Sequence, residues 1–589
     1  MKHRKLAGVA SLALAACMLL SACGGNTTAS STASSGGTSE PASSTASSET
    51  ASSAAEATTQ VFKATDPSKV PAAAKARKDT LVIGTADLAG KFQQIYAESV
   101  DDYHVSYAIS GATLQNNDDK GNLTDGTASM KVSDDGLTYT FTLKYPDDKY
   151  SDGSPVKAED YVNYFKVVCD KSYDGPINPL FNYNVTGAQD YYDGKADTIS
   201  GIKAVDDKTL EVKLDKPNSS VQYALGGAYP ISTALYGKTI KHGDLKAFKA
   251  INMVGYVGNG SYTLAEYKQG QSATLKANPN YYAGAPKIPN IIIKVVAADQ
   301  EMQAVITGSV DVEEEPVCND DNIELGKQAG FISQQVDPTL GYGFIGVNNA
   351  NPLFKDVKVR QALLYAIDRK SVVEAVYGKY GHVQNINQTA QSWLYTDEGI
   401  NTYDYDISKA ADLLKQAGWT KDSSGKLTKD GQQFKFIFTA MKDNAVTDAM
   451  IPVMQDAYKQ LGIDMQAEYV DWPTLSQKAT DKKYDMYFMA WGLSTDPDDS
   501  YIYSTGGSQN NLNYSNKELD EAYKTALAST DKESRKTAYQ KVYQIINQTL
   551  PCFIIYQRSD LIAYSSRLKT FQASPYVPTY QQYHLYELQ

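Results

Sequence analysis

Two compositions are joined in this chain, and the junction between them fixes where folding can occur. From Gly24 to about Glu56 nearly every residue is Ser, Thr, Ala or Gly, with Pro41 and a few glutamates. Such a tract has too little apolar surface to offset the entropy lost on ordering. Carried on to Arg77 it reads as a tether of about 50 residues, with a typical reach of about 40 Å. The roughly 510 residues that follow exceed what one core supports, so two or three domains are expected.

Ahead of the tract, Lys2, Arg4 and Lys5 precede an apolar run from Leu6 to Leu20, which ends in Leu20-Ser21-Ala22-Cys23-Gly24. A basic start, a short apolar core and small residues before a cut site read as a secretory signal over 1–22. The run is shorter than the roughly 18–20 residues that span a bilayer, which favours a cleaved signal. Its ending resembles a bacterial lipobox, whose cysteine is diacylated and becomes N-terminal. That resemblance implies Cys23 as a lipid anchor, residues 23–77 as a tether, and a body held at the extracytoplasmic face of the cell membrane.

Charge and cysteine usage narrow the class. The formal charge of −12 falls to about −15 once Lys2, Arg4 and Lys5 leave with the signal. An acidic body excludes nucleic acid, which needs a basic footprint, and flat adsorption on anionic lipid. Cys169, Cys318 and Cys552 are far apart and odd in number, so neither a disulfide framework nor a zinc cluster is indicated. No His-Glu-x-x-His, Gly-x-Ser-x-Gly or phosphate-binding loop occurs, so the chain reads as a non-enzyme without metal or cofactor. Gly341-Tyr-Gly343-Phe-Ile-Gly346 matches a dinucleotide pattern, but a strand end and turn follow where a helix is required. Asn117-Asp118-Asp119-Lys120-Gly121 lacks the downstream glutamate of a calcium loop and reads as a turn. The 43 tyrosines suit a wet binding cleft or the faces of secreted strands equally well.

Periodicity gives a mixed α/β body. Thr80 to Gly84 and Ile291 to Val296 are buried-strand runs, and Leu137 to Leu143 alternates as a half-buried strand does. Thr209 to Leu214 is a further strand, ending at Pro217. Ser154, with Pro155 behind it, predicts a helix start, and Tyr161, Val162, Phe165 and Val168 continue it. Helices are also predicted over Gln300 to Thr307 and Asp356 to Ile367.

Several of these segments stand in one register with a known family. Gly136 to Leu143, Tyr150-Ser151-Asp152-Gly153-Ser154-Pro155-Val156 and Ala158-Glu159-Asp160 resemble a signature of the extracellular solute-binding proteins of family 5. These are the oligopeptide- and dipeptide-binding components of bacterial ABC importers. Val257-Gly258-Asn259-Gly260-Ser261-Tyr262-Thr263-Leu264, Asn278-Pro279-Asn280-Tyr281-Tyr282, Phe354 to Ala362 with Ile367-Asp368-Arg369, and Tyr484-Asp485-Met486 with Trp491-Gly492 are similar to later motifs of that family. The resemblance runs from about residue 80 to the C-terminus. It implies an α/β fold, a two-lobed periplasmic-binding-protein-like clamshell with an extra inserted β-rich domain. Lobe I would comprise 78–118, 201–337 and 553–589; the inserted domain 119–200; lobe II 338–552. Function would be capture of oligopeptides between the lobes by a monomer and delivery to the transmembrane subunits of a permease. The same scaffold serves for nickel chelates, sugars or other small solutes, and for peptide-signal sensing; a secreted hydrolase would lack the motifs.

The resemblance also implies where ligand is met. Family members that bind peptides continue Trp-x-x-Asp, the Asp pairing with the peptide ammonium through charge-assisted hydrogen bonds. Here Ser494 stands at that place, and the stretch runs Trp491-Gly492-Leu493-Ser494-Thr495-Asp496-Pro497. Asp496 is therefore either a displaced anchor or part of a solvated turn. Tyr342, Phe344 and Gly346 stand where some members line the groove, with strand packing as the alternative. Phe488 is either core or contact, Asp87 either rim contact or turn former, and Trp491, freed by Gly492, the strongest candidate.

Overall fold

The computed structural model describes residues 58–589, apart from 298, 443 and 530. The signal, Cys23 and the tether as far as residue 57 lie outside the described residues. Among those described, no helix is long and apolar enough to cross a membrane. The folded body begins ahead of Arg77, the limit expected for the tether. β1 (Gln60–Phe62) pairs antiparallel with the strand Ile332–Pro338. Thr59 Oγ1 donates to Asp337 Oδ1 (2.6 Å), and Val70 and Ala74 are buried. Averaged composition hid these few apolar anchors among alanines and lysines.

In the first lobe, β2 (Thr80–Thr85) runs parallel to the strand Asn290–Val295. Leu81-Val82-Ile83 and Ile291-Ile292-Ile293 are near-continuous apolar runs, as strands covered on both faces require. A separate antiparallel sheet lies between them in sequence, built from β3 (Ala128–Val132), β4 (Thr138–Leu143), β5 (Ile202–Ala204) and β6 (Thr209–Lys213), in the order β3-β4-β6-β5. Tyr139, Phe141, Leu210 and Val212 from its strands share a core with Tyr161, Phe165 and Val168 of α1 (Ala158–Val168). That helix begins at Ala158, later than Ser154 suggested. Asp152 Oδ1 accepts from the Ser154 N–H (2.9 Å) and Oγ (2.6 Å), which closes a turn at Gly153 (φ +87°), and a bridge from Lys149 keeps Pro155 extended. Asp160 then accepts from the Lys157 N–H at 3.0 Å and satisfies the helix start.

The main sheet continues through β7 (Tyr262–Lys268), β8 (Ser272–Ala277), β9 (Asn290–Val295), β10 (Val312–Glu313), β11 (Ile332–Pro338) and β12 (Gly341–Val347), then through β13 (Lys435–Met441), β14 (Asp464–Val470), β15 (Met486–Gly492) and β16 (Cys552–Ser565). Its main path is β14-β13-β15-β12-β16-β10-β2-β9-β8-β7, with β11 and β1 branching from β16. One face of the second lobe's part is covered by α2 (Val357–Tyr365) and α3 (Ala445–Leu461). The other is covered by α4 (Lys517–Ala528) and α5 (Lys532–Thr549).

β16 joins the two lobes. Its residues up to Tyr556 pair with β12, while Ser559 onward pairs with β11. The chain therefore passes between lobes at two adjacent places, Pro338 to Gly341 and Arg558 to Asp560. Thr339 N–H donates to Arg558 O (2.9 Å), and Gln557 Nε2 donates to Thr339 O (2.7 Å), tying the crossings together.

Several family-like motifs turn out to hold backbone. Arg360 donates to Thr549 O (2.6 Å), Leu550 O (3.0 Å) and Phe354 O (2.6 Å), securing carbonyls at the end of α5. Arg369 does the same for Ile554 O (2.8 Å), and Asn278 Nδ2 donates to Gly260 O (2.8 Å). Gly341 to Gly346 is wholly strand, and Asn117 to Gly121 forms a hairpin turn in which Asp118 accepts from the N–H groups of Lys120 and Asn122.

Candidate ligand cleft between the lobes

Strand alternation sorts the residues singled out from the sequence. β12 and β15 pair antiparallel with Tyr342 opposite Trp491, Phe344 opposite Met489 and Gly346 opposite Tyr487. Tyr342, Phe344, Gly346 and Trp491 thus share one face. The Trp491 ring stacks on Phe344 (centroids 5.9 Å apart, planes 9°), and Tyr342 Oη lies 2.8 Å from Tyr503 Oη. At Gly346 a Cβ would come within 2.3 Å of the Tyr487 ring, so this glycine makes room for packing. Phe488 is on the opposite face, buried in the second lobe's core and stacked on Tyr556. Asp87 is exposed on the loop after β2, accepting from the Leu88 N–H (2.7 Å), and no described contact joins it to the others.

The stretch beyond Trp491 meets the first lobe. Trp491 is half-buried, and a Cβ at exposed Gly492 would meet nothing within 4 Å. Ser494 is exposed and donates to Asp496 O at 2.9 Å. Asp496 Oδ1 accepts from Ser220 Oγ (3.0 Å) of the first lobe and from Arg535 Nη2 (3.2 Å) of α5. Arg535 Nη2 also donates to Ser220 Oγ at 2.9 Å, so the serine sits between both charges. Next to it, the Ser219 N–H donates to Leu527 O (2.8 Å), and Lys532 Nζ donates to Asn122 Oδ1 (2.8 Å) across the same gap. Aromatic faces flank these groups: Arg535 lies over Tyr223 (5.7 Å) and Tyr539 (5.6 Å), and Lys532 over Trp393 (5.0 Å).

The electrostatics are acidic and dry. Burial, reinforced by the charge of Asp498, pushes Asp496 upward despite the opposing Arg535 guanidinium. Burial also raises Asp498, and lifts Asp499 to about 7 against hydrogen bonds from Tyr523 and Asn387. Asp496 pairs with the Arg535 guanidinium and Asp498 feels its charge, whereas Asp499 is held by Tyr523 and Asn387. Alongside them, Trp491 Nε1 and Asn387 Oδ1 are buried with no hydrogen-bond partner in the protein, whereas Tyr539 and Tyr543 interact with Arg535 and Gln388. Each unmatched atom costs about 1–3 kcal/mol, which a polar ligand can offset. No group of three or more His, Cys, Asp or Glu side chains among the described residues converges as a metal site.

Sequence reasoning did not find Ser220, Arg535, Asn387, Thr389, Tyr539 or Tyr543. Ser220, Asn387 and Thr389 sit on loops, and Arg535, Tyr539 and Tyr543 on the buried face of α5, where their spacing of four matches ordinary helix packing.

A family model, bacterial extracellular solute-binding proteins of family 5 (middle), matches residues 122–513. The chain belongs to this family. It is similar to the oligopeptide-binding protein AppA of Bacillus subtilis, 29% identical over 518 residues that cover 84% of this chain and 89% of that one. It is also similar to the dipeptide-binding protein of Escherichia coli, 26% identical over 437 residues, covering 72% and 79%. Among solved structures, AppA of Bacillus subtilis in complex with a nonapeptide superposes with a TM-score of 0.71 at 26% identity, covering 87% and 99% of the two chains. NikZ of Campylobacter jejuni in complex with Ni(L-His) gives 0.69 at 22% identity, covering 86% and 99%, which is a likeness of fold. This solute-binding protein therefore shares the family's two-lobed α/β clamshell. Its family is one of binding proteins, and Asp496 with Arg535 meets Ser220 where the two lobes touch.

Proposed function

We propose that this solute-binding protein is the membrane-tethered receptor of an ABC importer, taking oligopeptides between its lobes and passing them to the permease's transmembrane subunits. The observation that carries the reading is the stretch from Trp491 to Asp496, where a half-buried Trp with an unpartnered Nε1 stands beside open Gly492 and a carboxylate reaches Ser220 of the first lobe. A peptide offers an ammonium and N–H and C=O groups along its length, which such a stretch can engage without fitted side-chain pockets. The peptide-bound relative of like fold supports the same class. Trp491, Gly492, Ser494 and Asp496 are the contacts in this reading, with Tyr342 and Phe344 as their backing. Asp496 takes the free amino terminus.

The reading includes lipid attachment at Cys23, placing the monomer on the extracytoplasmic face. It also divides the body with 338 as the start of lobe II, and with the inserted domain carried past the expected 119–200, since β5 and β6 complete its sheet as far as Lys213. The change of pairing partner along β16 supports a return to lobe I near Ser559 instead of residue 553.

Native mass spectrometry of the full chain, challenged with a random peptide pool, tests this. Retained masses matching peptides of a few residues are expected. Retention of only a nickel chelate or a sugar would overturn the peptide assignment, and cleavage of the pool would overturn the receptor reading itself.

A further inference from the structure

Apart from the cleft, a cavity in the first lobe has a lining with a chemistry of its own. It measures about 240 Å³. It lies among the helix Val100–Ser110, the hairpin of Gln115–Asn117 and Leu123–Asp125, and the C-terminal turns Thr579–Gln581 and Tyr583–Leu585. No second-lobe residue lines it, so it is complete without closure of the lobes. In a chain of formal charge −12, none of its lining residues is Lys, Arg, Asp or Glu. Burial holds the lining His584 below its ordinary value, so that ring is uncharged at pH 7. Two braced aromatic pairs form part of the wall, Tyr107 with Tyr580 (centroids 5.0 Å apart) and Tyr281 with Tyr282 (4.6 Å). All four rings are half-buried, yet burial pushes the Tyr107 hydroxyl up to about 12 and those of Tyr281 and Tyr580 well up. Their open area therefore fronts a recess and not bulk water. The acids that act on these hydroxyls, Asp148 and Glu314, are outside the lining and accept from Asn259 Nδ2 (3.2 Å) and Thr579 Oγ1. Amides complete the wall, among them Gln582 and Asn117, whose Oδ1 is buried with no hydrogen-bond partner in the protein.

We propose that this cavity is a second binding site, for a neutral monosaccharide in its pyranose form. A pyranose carries C–H groups on its flat faces, which suit the electron-rich faces of tyrosine rings. Around its edge are hydroxyls that both donate and accept, which side-chain amides match with an N–H and a C=O each. An apolar ligand would leave Asn117 Oδ1 unmatched, and an ion would enter without a counter-charge. The volume is below the roughly 300–1,000 Å³ of sites for drug-sized ligands, which suits a single sugar ring. The site is separate from Trp491 and Asp496, and it stands whether or not the cleft takes peptides.

Saturation-transfer-difference NMR on the full chain, with D-glucose, D-galactose, D-mannose and N-acetyl-D-glucosamine as probes, tests the site. At least one sugar is expected to receive saturation, and the signal should persist in Trp491→Ala, which alters only the cleft. Tyr281→Ala removes a stacking face and should lose the signal. Thr124 is exposed and lines the cavity, so Thr124→Trp plugs it without removing packing. The plugged variant should lose the signal too, and it answers if Tyr281→Ala does not fold. No saturation of any of these sugars, or a signal that survives Thr124→Trp, would overturn the proposal. A signal lost in Trp491→Ala and kept in Thr124→Trp would overturn it as well, and would move the sugar to the cleft.

Discussion

Trp491 shows how one side chain is presented. Its ring rests on Phe344 at 5.9 Å, its Nε1 is buried without a partner, and Gly492 leaves the space beside it open. Trp491→Ala removes both the stacking face and the donor, and a loss of at least about tenfold in peptide affinity is expected by calorimetry. A comparable affinity in the variant would take Trp491 out of the contact set. At Asp496, Asp496→Asn should weaken peptides with a free amino terminus by more than it weakens N-acetylated ones; equal losses would remove it as the amine partner. Glu313 on β10 is a different kind of residue, since its two oxygens are buried with no partner. Burial, helped by the charges of Glu315 and Glu314, lifts it to about 8. That is above the unfolded value of about 4.3, so its contribution to stability is full below about pH 4.3 and is lost as pH rises through about 8. Melting curves from pH 5 to 9 should fall in the wild type. The fall should be smaller in Glu313→Gln, which stays neutral throughout.

At the scale of elements, the Val-Arg-x-Ala helix illustrates why a family motif need not mark a ligand. Arg360 reaches from α2 to the final carbonyls of α5 and to those before α2, and it is 6% exposed. Removing it leaves several buried carbonyls unmatched, so Arg360→Ala is expected to cost at least about 3 kcal/mol of stability. Denaturant unfolding would register this, while the affinity of the folded fraction should be unchanged. The start of α1 carries a related lesson. Ser154-Pro155 is a sound helix-opening pair in isolation, yet Asp152 captures Ser154 for a turn and the helix waits until Ala158. Local preference was overruled by a competing local hydrogen bond of the same strength.

For the whole molecule, the two crossings between lobes are the feature with mechanical consequence. They are adjacent and joined by the Gln557–Thr339 bond, so they can bend as one unit while each lobe keeps its core. Gln557 Nε2 also donates to Gln391 Oε1 (2.8 Å) in the second lobe. Gln557→Leu removes the side-chain tie and leaves only the Thr339 N–H to Arg558 O bond between the crossings. A larger radius of gyration without ligand is expected by small-angle scattering, together with weaker peptide binding and a larger compaction when peptide saturates. An unchanged radius in both states would show that this bond does not bias closure.

Much of this protein was legible in its residues because the physics concerned is local. The apolar runs of β2 and β9, the alternation of β4 and the helical spacing in α1 each depend on neighbours within a few positions, and they gave the α/β class directly. The ordered motifs gave the family and, through it, the clamshell. The cleft was legible only in part. Trp491 and Asp496 could be singled out because they belong to a motif, whereas Phe488 was indistinguishable from them until the pleat sent it to the other face. Ser220 and Arg535, separated by more than three hundred positions, carry no sequence sign of each other. Whether a polar side chain is buried, and what it then faces, depends on packing between lobes that are distant in the chain. Local residue patterns set the elements and, through the motifs, the scaffold; which charges meet inside it follows only from burial and pairing in the assembled fold.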